Sequence, residues 1–186
     1  MSVNFNMDKR IIKSKQKIKE KYLELLFKKD PSKIQVNELC ALAHVNRSTF
    51  YERYGYLDAL VDEIIEEQLI NVSFDKYDEK EEVTSIEQIE KEQIKQYIQK
   101  FYENKILVKF CLAENKEIYV GKIIQKQIAI GVKELNKISY YQALFQTVGA
   151  LTVLIDFLTN KKSQSIDDVV NVVYEHALVM LKEEFQ

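Results

Sequence analysis

The stretch LCALAHVNRSTFYERY, residues 39–54, decides how this chain folds, because its spacing sets two short helices at an angle with a tight turn between them. Cys40 holds a position in the first helix where only a small side chain lets the second pack close. His44 falls four residues later, in the turn, and Val45 plugs the gap between the helices. Asn46 is a strong N-cap residue whose side-chain oxygen is expected to accept from a backbone N–H near Ser48 or Thr49, so the second helix starts at Arg47. Phe50 lies five residues after Val45 and four before Tyr54, which turns these apolar side chains toward the core. Arg47, Ser48, Thr49, Tyr51 and Arg53 are left for other faces. A helix that offers Arg, hydroxyls and Tyr from its first turns has the donor set a DNA major groove accepts.

Upstream, Ile11, Ile12, Ile18, Tyr22, Leu25 and Leu26 recur at helical spacing between lysines and predict a first helix from about Asp8 to Lys28 with one face inward. The link around Pro31 ends it, and the next helix runs from about Val36 to Ala43. Downstream, Leu57, Leu60, Val61, Ile64, Ile65, Leu69 and Val72 mark a longer fourth helix that joins the small basic unit to the rest. Residues 75–82, DKYDEKEE, have no apolar period and read as a solvated link. They lack the turn Gly and the acid spacing of a calcium loop.

Ser85 with Gln88, Ser139 with Gln142 and, more weakly, Ser165 with Asp168 have the spacing of a capping box, predicting helices near 86–103, 139–160 and 166–184. The apolar stretches Ile106–Leu112 and Ile118–Leu135 add two more. The fold class is therefore all-α: an N-terminal three-helix helix-turn-helix unit joined by a linker helix to a C-terminal helical bundle, about nine helices in all. The last two helices are apolar around most of their circumference, which suggests a subunit interface, the alternative being that both are simply central in the monomer. Tyr141, Leu144, Val148, Leu151, Ile155, Val170, Val173, Ala177 and Leu181 are the expected subunit interface, and Gly149 and Ala150 permit close helix approach.

Charge is divided unevenly. Residues 1–56 hold 12 Lys/Arg against 6 Asp/Glu within a chain of net charge −2, and residues 57–100 hold 13 acids against 5 bases. A basic N-terminal third suits a polyanion. The two cysteines, Cys40 and Cys111, stand in apolar helical surroundings far apart, which argues for reduced core residues and against a metal or redox pair. No metal site or cofactor is expected. Only two histidines, His44 and His176, occur, and no GxSxG, HExxH or P-loop pattern, so no catalytic constellation assembles and an enzyme is not expected. There is no run of about 18 uncharged apolar residues to span a membrane. Asp8, Lys9 and Arg10 precede any apolar segment without a signal-peptide pattern, so the expected location is cytoplasmic.

Residues 35–60 resemble the TetR (tetracycline-repressor-like) family of transcription regulators, whose motif runs T-v-x-x-I-A-x-x-A-G-V-S-x-x-T-F/L-Y-x-H/Y-F-x-x-K-x-x-L. Gln35 to Leu60 match that frame without a gap, and NRSTFYERY is nearest to the branch reading R-x-T-F-Y-x-H-Y. The resemblance implies a DNA-binding domain over residues 1–56 and a ligand-binding and dimerisation domain over 57–186. It makes Arg47, Ser48 and Thr49 the groove-facing group, with Asn46 at its head. Tyr51, Arg53, Gln35 and Lys33 would meet the phosphate backbone. It further implies a homodimeric repressor, released from a palindromic double-stranded operator by an unknown small-molecule effector. Tyr97, Phe101, Phe110, Cys111, Tyr119 and Phe145 are the candidate pocket residues. A member acting through a protein partner as co-activator, with weak DNA contact of its own, is the alternative.

Two positions depart from the family pattern. His44 replaces the turn Gly and must carry a side chain in a left-handed conformation, at roughly 1–2 kcal/mol. Leu57 replaces a Lys at the start of the fourth helix, which removes about one cation from the DNA contact.

Overall fold

The structure is a computed structural model that describes residues 3–72, 91–134, 139–160 and 165–182; the side chains of 3–8, 92, 131–134 and 177–182 lie outside the described set. Among the described residues there are nine α-helices and no strand: α1 (Val3–Leu26), α2 (Val36–Ala43), α3 (Arg47–Tyr54), α4 (Leu57–Val72), α5 (Lys91–Glu103), α6 (Lys105–Cys111), α7 (Lys116–Glu134), α8 (Tyr140–Thr159) and α9 (Ile166–Lys182). The all-α class and the order of elements agree with the sequence. The link at 75–82 and the Ser85–Gln88 box lie outside the described residues.

Helix α1 buries Ile18, Tyr22, Leu25 and Leu26, one stripe at three- and four-residue spacing. Ile12, expected on that stripe, is exposed instead. It projects about 100° away from its neighbour Ile11, which is half-buried, and so falls off the covered side of this end of α1. The helix stops at Leu26, two residues short of the expected Lys28. Asp30 then caps a single 3-10 turn over Pro31–Lys33, accepting from the Ser32 backbone N–H at 2.9 Å. Lys29 reaches Glu38 and pins the end of α1 to α2.

The turn after α2 follows from its hydrogen bonds. His44 is left-handed (φ 52°, ψ 44°), its N–H donates to the Ala41 carbonyl at 3.3 Å, and the Val45 N–H donates back to Cys40 at 3.1 Å. That is the paired-bond Schellman ending of a helix, usually built on Gly. It satisfies carbonyls that α2 would otherwise leave orphaned, and it drops Val45 against the core. Leu39, Cys40 and Ala43 form the buried face of α2.

Helix α4 buries Leu60, Val61, Ile64, Ile65, Leu69 and Val72 and packs on α3, α5, α6 and α7. Its acids lie on two shoulders. On one, Glu63 takes Lys15 at 2.7 Å and Lys19 at 2.9 Å, and Lys19 also reaches Glu67. On the other, Asp62 meets Lys122 at 2.8 Å and Glu66 meets Lys126 at 2.7 Å. The same step of four residues repeats in α1, α4 and α7, close to one turn of each helix.

The body closes with local caps. Asn104 accepts from the Ile106 and Leu107 amides at 3.2 and 3.0 Å and starts α6. Ser139 and Gln142 form the full reciprocal box that starts α8, and Ser165 and Asp168 do the same for α9, with bonds of 2.6 and 3.3 Å. One continuous set of buried apolar side chains runs from Ile18 in α1 to Val170 in α9. At the far end of the N-terminal helices, the Glu114 amide donates to Asp30 at 2.8 Å while its carboxylate pairs with Lys33.

Candidate nucleic-acid interface

Helix α3 is held by one side and open on the other. Phe50 is fully buried and Tyr54 nearly so, their rings 5.6 Å apart. The Lys15 ammonium lies 4.9 Å from the Tyr54 ring centre, tying α1 to this helix. Opposite them, Arg47, Ser48 and Tyr51 are exposed and Thr49 is half-buried. Tyr51 meets the edge of Phe50 at 5.5 Å and 84°, and the Arg47 guanidinium lies 5.9 Å from the Tyr51 ring. A buried Phe thus braces an exposed Tyr, and that Tyr supports an exposed Arg. Among the described residues Arg47 makes no ion pair, so its five donors face water.

The remaining expected contact residues fall into two groups. Gln35 and Asn46 are exposed at the starts of α2 and α3, both with extended backbone, and neither makes a side-chain capping bond. For Asn46 this corrects the expected cap: its amide is left available while its backbone carbonyl accepts from Phe50 at 3.1 Å. Lys33 and Arg53 are engaged elsewhere. Lys33 pairs with Glu114, and Arg53, largely covered, pairs with Glu52 at 3.1 Å.

Part of the basic surplus of residues 1–56 is met by acids from further along the chain, at Lys15, Lys19 and Lys33. Lys15 and Lys19 serve the α4 acids, Lys21 pairs with Glu24, Lys29 with Glu38 and Lys33 with Glu114. Arg10, Lys13, Lys17, Lys28 and Arg47 are exposed without an ion pair among the described residues. The sequence carried a signal for this, the matched four-residue steps of Lys15/Lys19 and Glu63/Glu67, which composition alone conceals. Leu57, at the start of α4, is half-buried and packs on the core.

The pocket candidates do not share one surface. Phe101, Phe110, Cys111 and Tyr119 are buried, with the Phe110 and Tyr119 rings 5.1 Å apart. Tyr97 is half-buried and its hydroxyl accepts from the Gln127 amide. Phe145 is 62% exposed, unlike the buried members of the set. Burial pushes the Cys111 thiol up to about 12, outweighing the lowering charge of Lys116, and raises Cys40 against the lowering charge of Arg47. Both are unreactive core thiols.

Of the expected interface residues, Tyr141 is 78% exposed and Val148 is exposed, while Leu144, Ile155 and Val173 are half-buried. Leu151 and Val170 are buried in the chain's own core, and the side chains of Ala177 and Leu181 lie outside the described residues. The open stripe of α8 runs Tyr141, Phe145, Val148, Gly149, Thr152, with exposed Val172 on α9. Helix α8 is also the only described helix long and apolar enough to cross a membrane by length and composition.

These elements define an all-α protein with a helix-turn-helix head carried on a helical body. The fold is similar to that of a crystal structure described as a transcriptional regulator (TerR/AcrR family) from Aquifex aeolicus VF5, with a TM-score of 0.50 and 21% identity over 90% of this chain and 99% of that one. The fold that the TetR resemblance of residues 35–60 implies is thus found along most of the chain. No family model matches the sequence, and no curated protein matches it.

Proposed function

We propose that the chain is a DNA-binding transcription regulator, with residues 1–56 as the DNA-binding head and 57–186 as the ligand-responsive, dimerising body. The observation that carries this reading is the braced outer face of α3, where Arg47, Ser48 and Tyr51 stand in water while Phe50 and Tyr54 fix the helix from behind. Arg47 donates two hydrogen bonds to a guanine edge, Ser48 and Thr49 reach bases or phosphate, and Tyr51 meets the backbone.

Two copies joined through the open stripe of α8 and α9 would place their α3 helices in successive major grooves about 34–36 Å apart on a palindromic site. The aromatic residues Tyr141 and Phe145, exposed beside Val148 along one side of α8, support a second subunit over that stripe. A small molecule in the body acts as effector by favouring one arrangement of the two heads. In the repressor reading, its binding releases the operator.

The test is a gel shift with a duplex enriched from a randomised pool by the wild-type protein, repeated with Arg47→Ala. Loss of about 1–3 kcal/mol of specific binding is expected. Equal binding by both proteins at moderate salt would refute base readout by α3 and favour action through a protein partner.

A further inference from the structure

We infer that Glu52 occupies Arg53 in the DNA-free protein and that a DNA backbone phosphate displaces it, making Glu52 a residue that tunes binding downward. The inference rests on α3 being a DNA-binding helix and adds a counterweight to it.

Arg53 Nη1 lies 3.1 Å from Glu52 Oε1. Adjacent helix residues do not face one another, so this pair closes only because both side chains bend along the helix surface. Its two halves are unequal: the Arg53 side chain is 17% exposed and that of Glu52 61%. Packing covers most of the Arg53 side chain, and the carboxylate meets the guanidinium from the solvent side. Arg53 Nε is buried and has no acceptor among the described residues, so the fork is only partly satisfied.

Glu52 engages a single Nη. A phosphate with two oxygens in the guanidinium plane takes Nε–H and Nη–H together, the bidentate arrangement that suits Arg. An exposed carboxylate pair is worth little and is screened by salt, whereas a charge-assisted bidentate contact is among the stronger polar contacts. Exchange is therefore favourable once DNA brings a phosphate to this end of α3. The guanidinium tilts into the space Glu52 leaves, and the carboxylate turns to water. With Glu52 present, part of the Arg53 contact is spent on breaking the internal pair and on bringing a carboxylate near DNA.

The experiment is a double-mutant cycle on the full chain, read by fluorescence anisotropy with the enriched duplex described above: wild type, Glu52→Gln, Arg53→Met and the double variant. Arg53→Met keeps the apolar stem that packs, and Arg53→Gln repeats the cycle if the Met variant loses its helical signal. Glu52→Gln is expected to tighten binding up to about fivefold when Arg53 is present. In either Arg53 variant the gain should be at least about twofold smaller. Equal gains in both backgrounds, which repulsion alone would give, overturn the inference, as does a Glu52→Gln protein that binds no tighter. If the wild type binds and Arg47→Ala does not, such a result removes the Glu52 role alone. If the wild type enriches no duplex, the DNA reading itself falls and takes this inference with it.

Discussion

Lys15 of α1 and Glu63 of α4, 48 residues apart in sequence, meet at 2.7 Å. One turn further along α1, Lys19 bonds Glu63 and Glu67, while Lys122 and Lys126 of α7 hold the opposite shoulder of α4. The linker helix is thus gripped from the head on one side and from the body on the other.

This grip should be sensitive to acid. Burial opposes ionisation of Glu63, but hydrogen bonds from Lys15 and Lys19, together with their charges, outweigh it and hold the carboxyl below its ordinary 4.5. A carboxyl depressed in the folded state contributes stability that is complete above its unfolded value and lost as pH falls through the folded one. The wild-type melting temperature should therefore drop as pH falls below about 4.5, and Glu63→Gln should start lower at neutral pH and fall less. Parallel curves for the two proteins would show that Glu63 does not carry the link.

Among the described residues two buried hydroxyls, Tyr22 Oη and Tyr54 Oη, have no hydrogen-bond partner. Burial, with negative groups nearby, pushes both phenols well above their ordinary range. An unpaired buried polar group costs roughly 1–3 kcal/mol. Tyr22→Phe and Tyr54→Phe should each stabilise the protein by about 1 kcal/mol, seen as a higher urea midpoint at unchanged slope. A lower midpoint for either variant would mean that its hydroxyl is bonded in solution.

His44→Gly should also stabilise. The left-handed backbone at φ 52° costs a non-glycine residue roughly 1–2 kcal/mol, and the added freedom of Gly in the unfolded chain returns about 0.4–1 of that. A net gain of roughly 0.5–1 kcal/mol is expected from the difference, and His44→Val should lose stability. Denaturant unfolding of the three proteins settles the order.

Charge placed on α8 and α9 should separate interface from core. If the proposed dimer forms through the open stripe, Tyr141→Glu or Phe145→Glu should leave the helical signal intact and convert dimer to monomer by light scattering. Leu151→Glu and Val170→Glu, at 4% and 1% exposure, should unfold the chain, because an unpaired buried charge costs several kcal/mol. A Phe145→Glu protein that remains dimeric would move the seam elsewhere.

The bounds of α2, α3 and α4 agree with those expected from residues 36–72, where the apolar period marks the inward faces, although Asn46 starts α3 without the side-chain bond expected of it. The outward set on α3 followed from Phe50 and Tyr54 for the same reason. What could not be read were partners far away in sequence. Nothing near Lys33 announces Glu114, and helical period says which way Arg53 leaves the axis but not that Glu52 bends back to meet it. A helix apolar around most of its circumference, such as α8, hides which stripe the chain uses itself: Leu151, expected at a subunit seam, is buried in the chain's own core, and Phe145, expected in a pocket, is exposed.

Glu114 grips the turn beyond α1 at Asp30 and Lys33, and the α4 acids grip the same helix at Lys15 and Lys19. The two holds act on separate pieces, α1 itself and the turn that follows it. A shift of α4 would pull on α1, whereas a shift of the segment between α6 and α7 would pull on the turn that leads into α2, so the two ends of the α1–α2 connection answer to different parts of the chain.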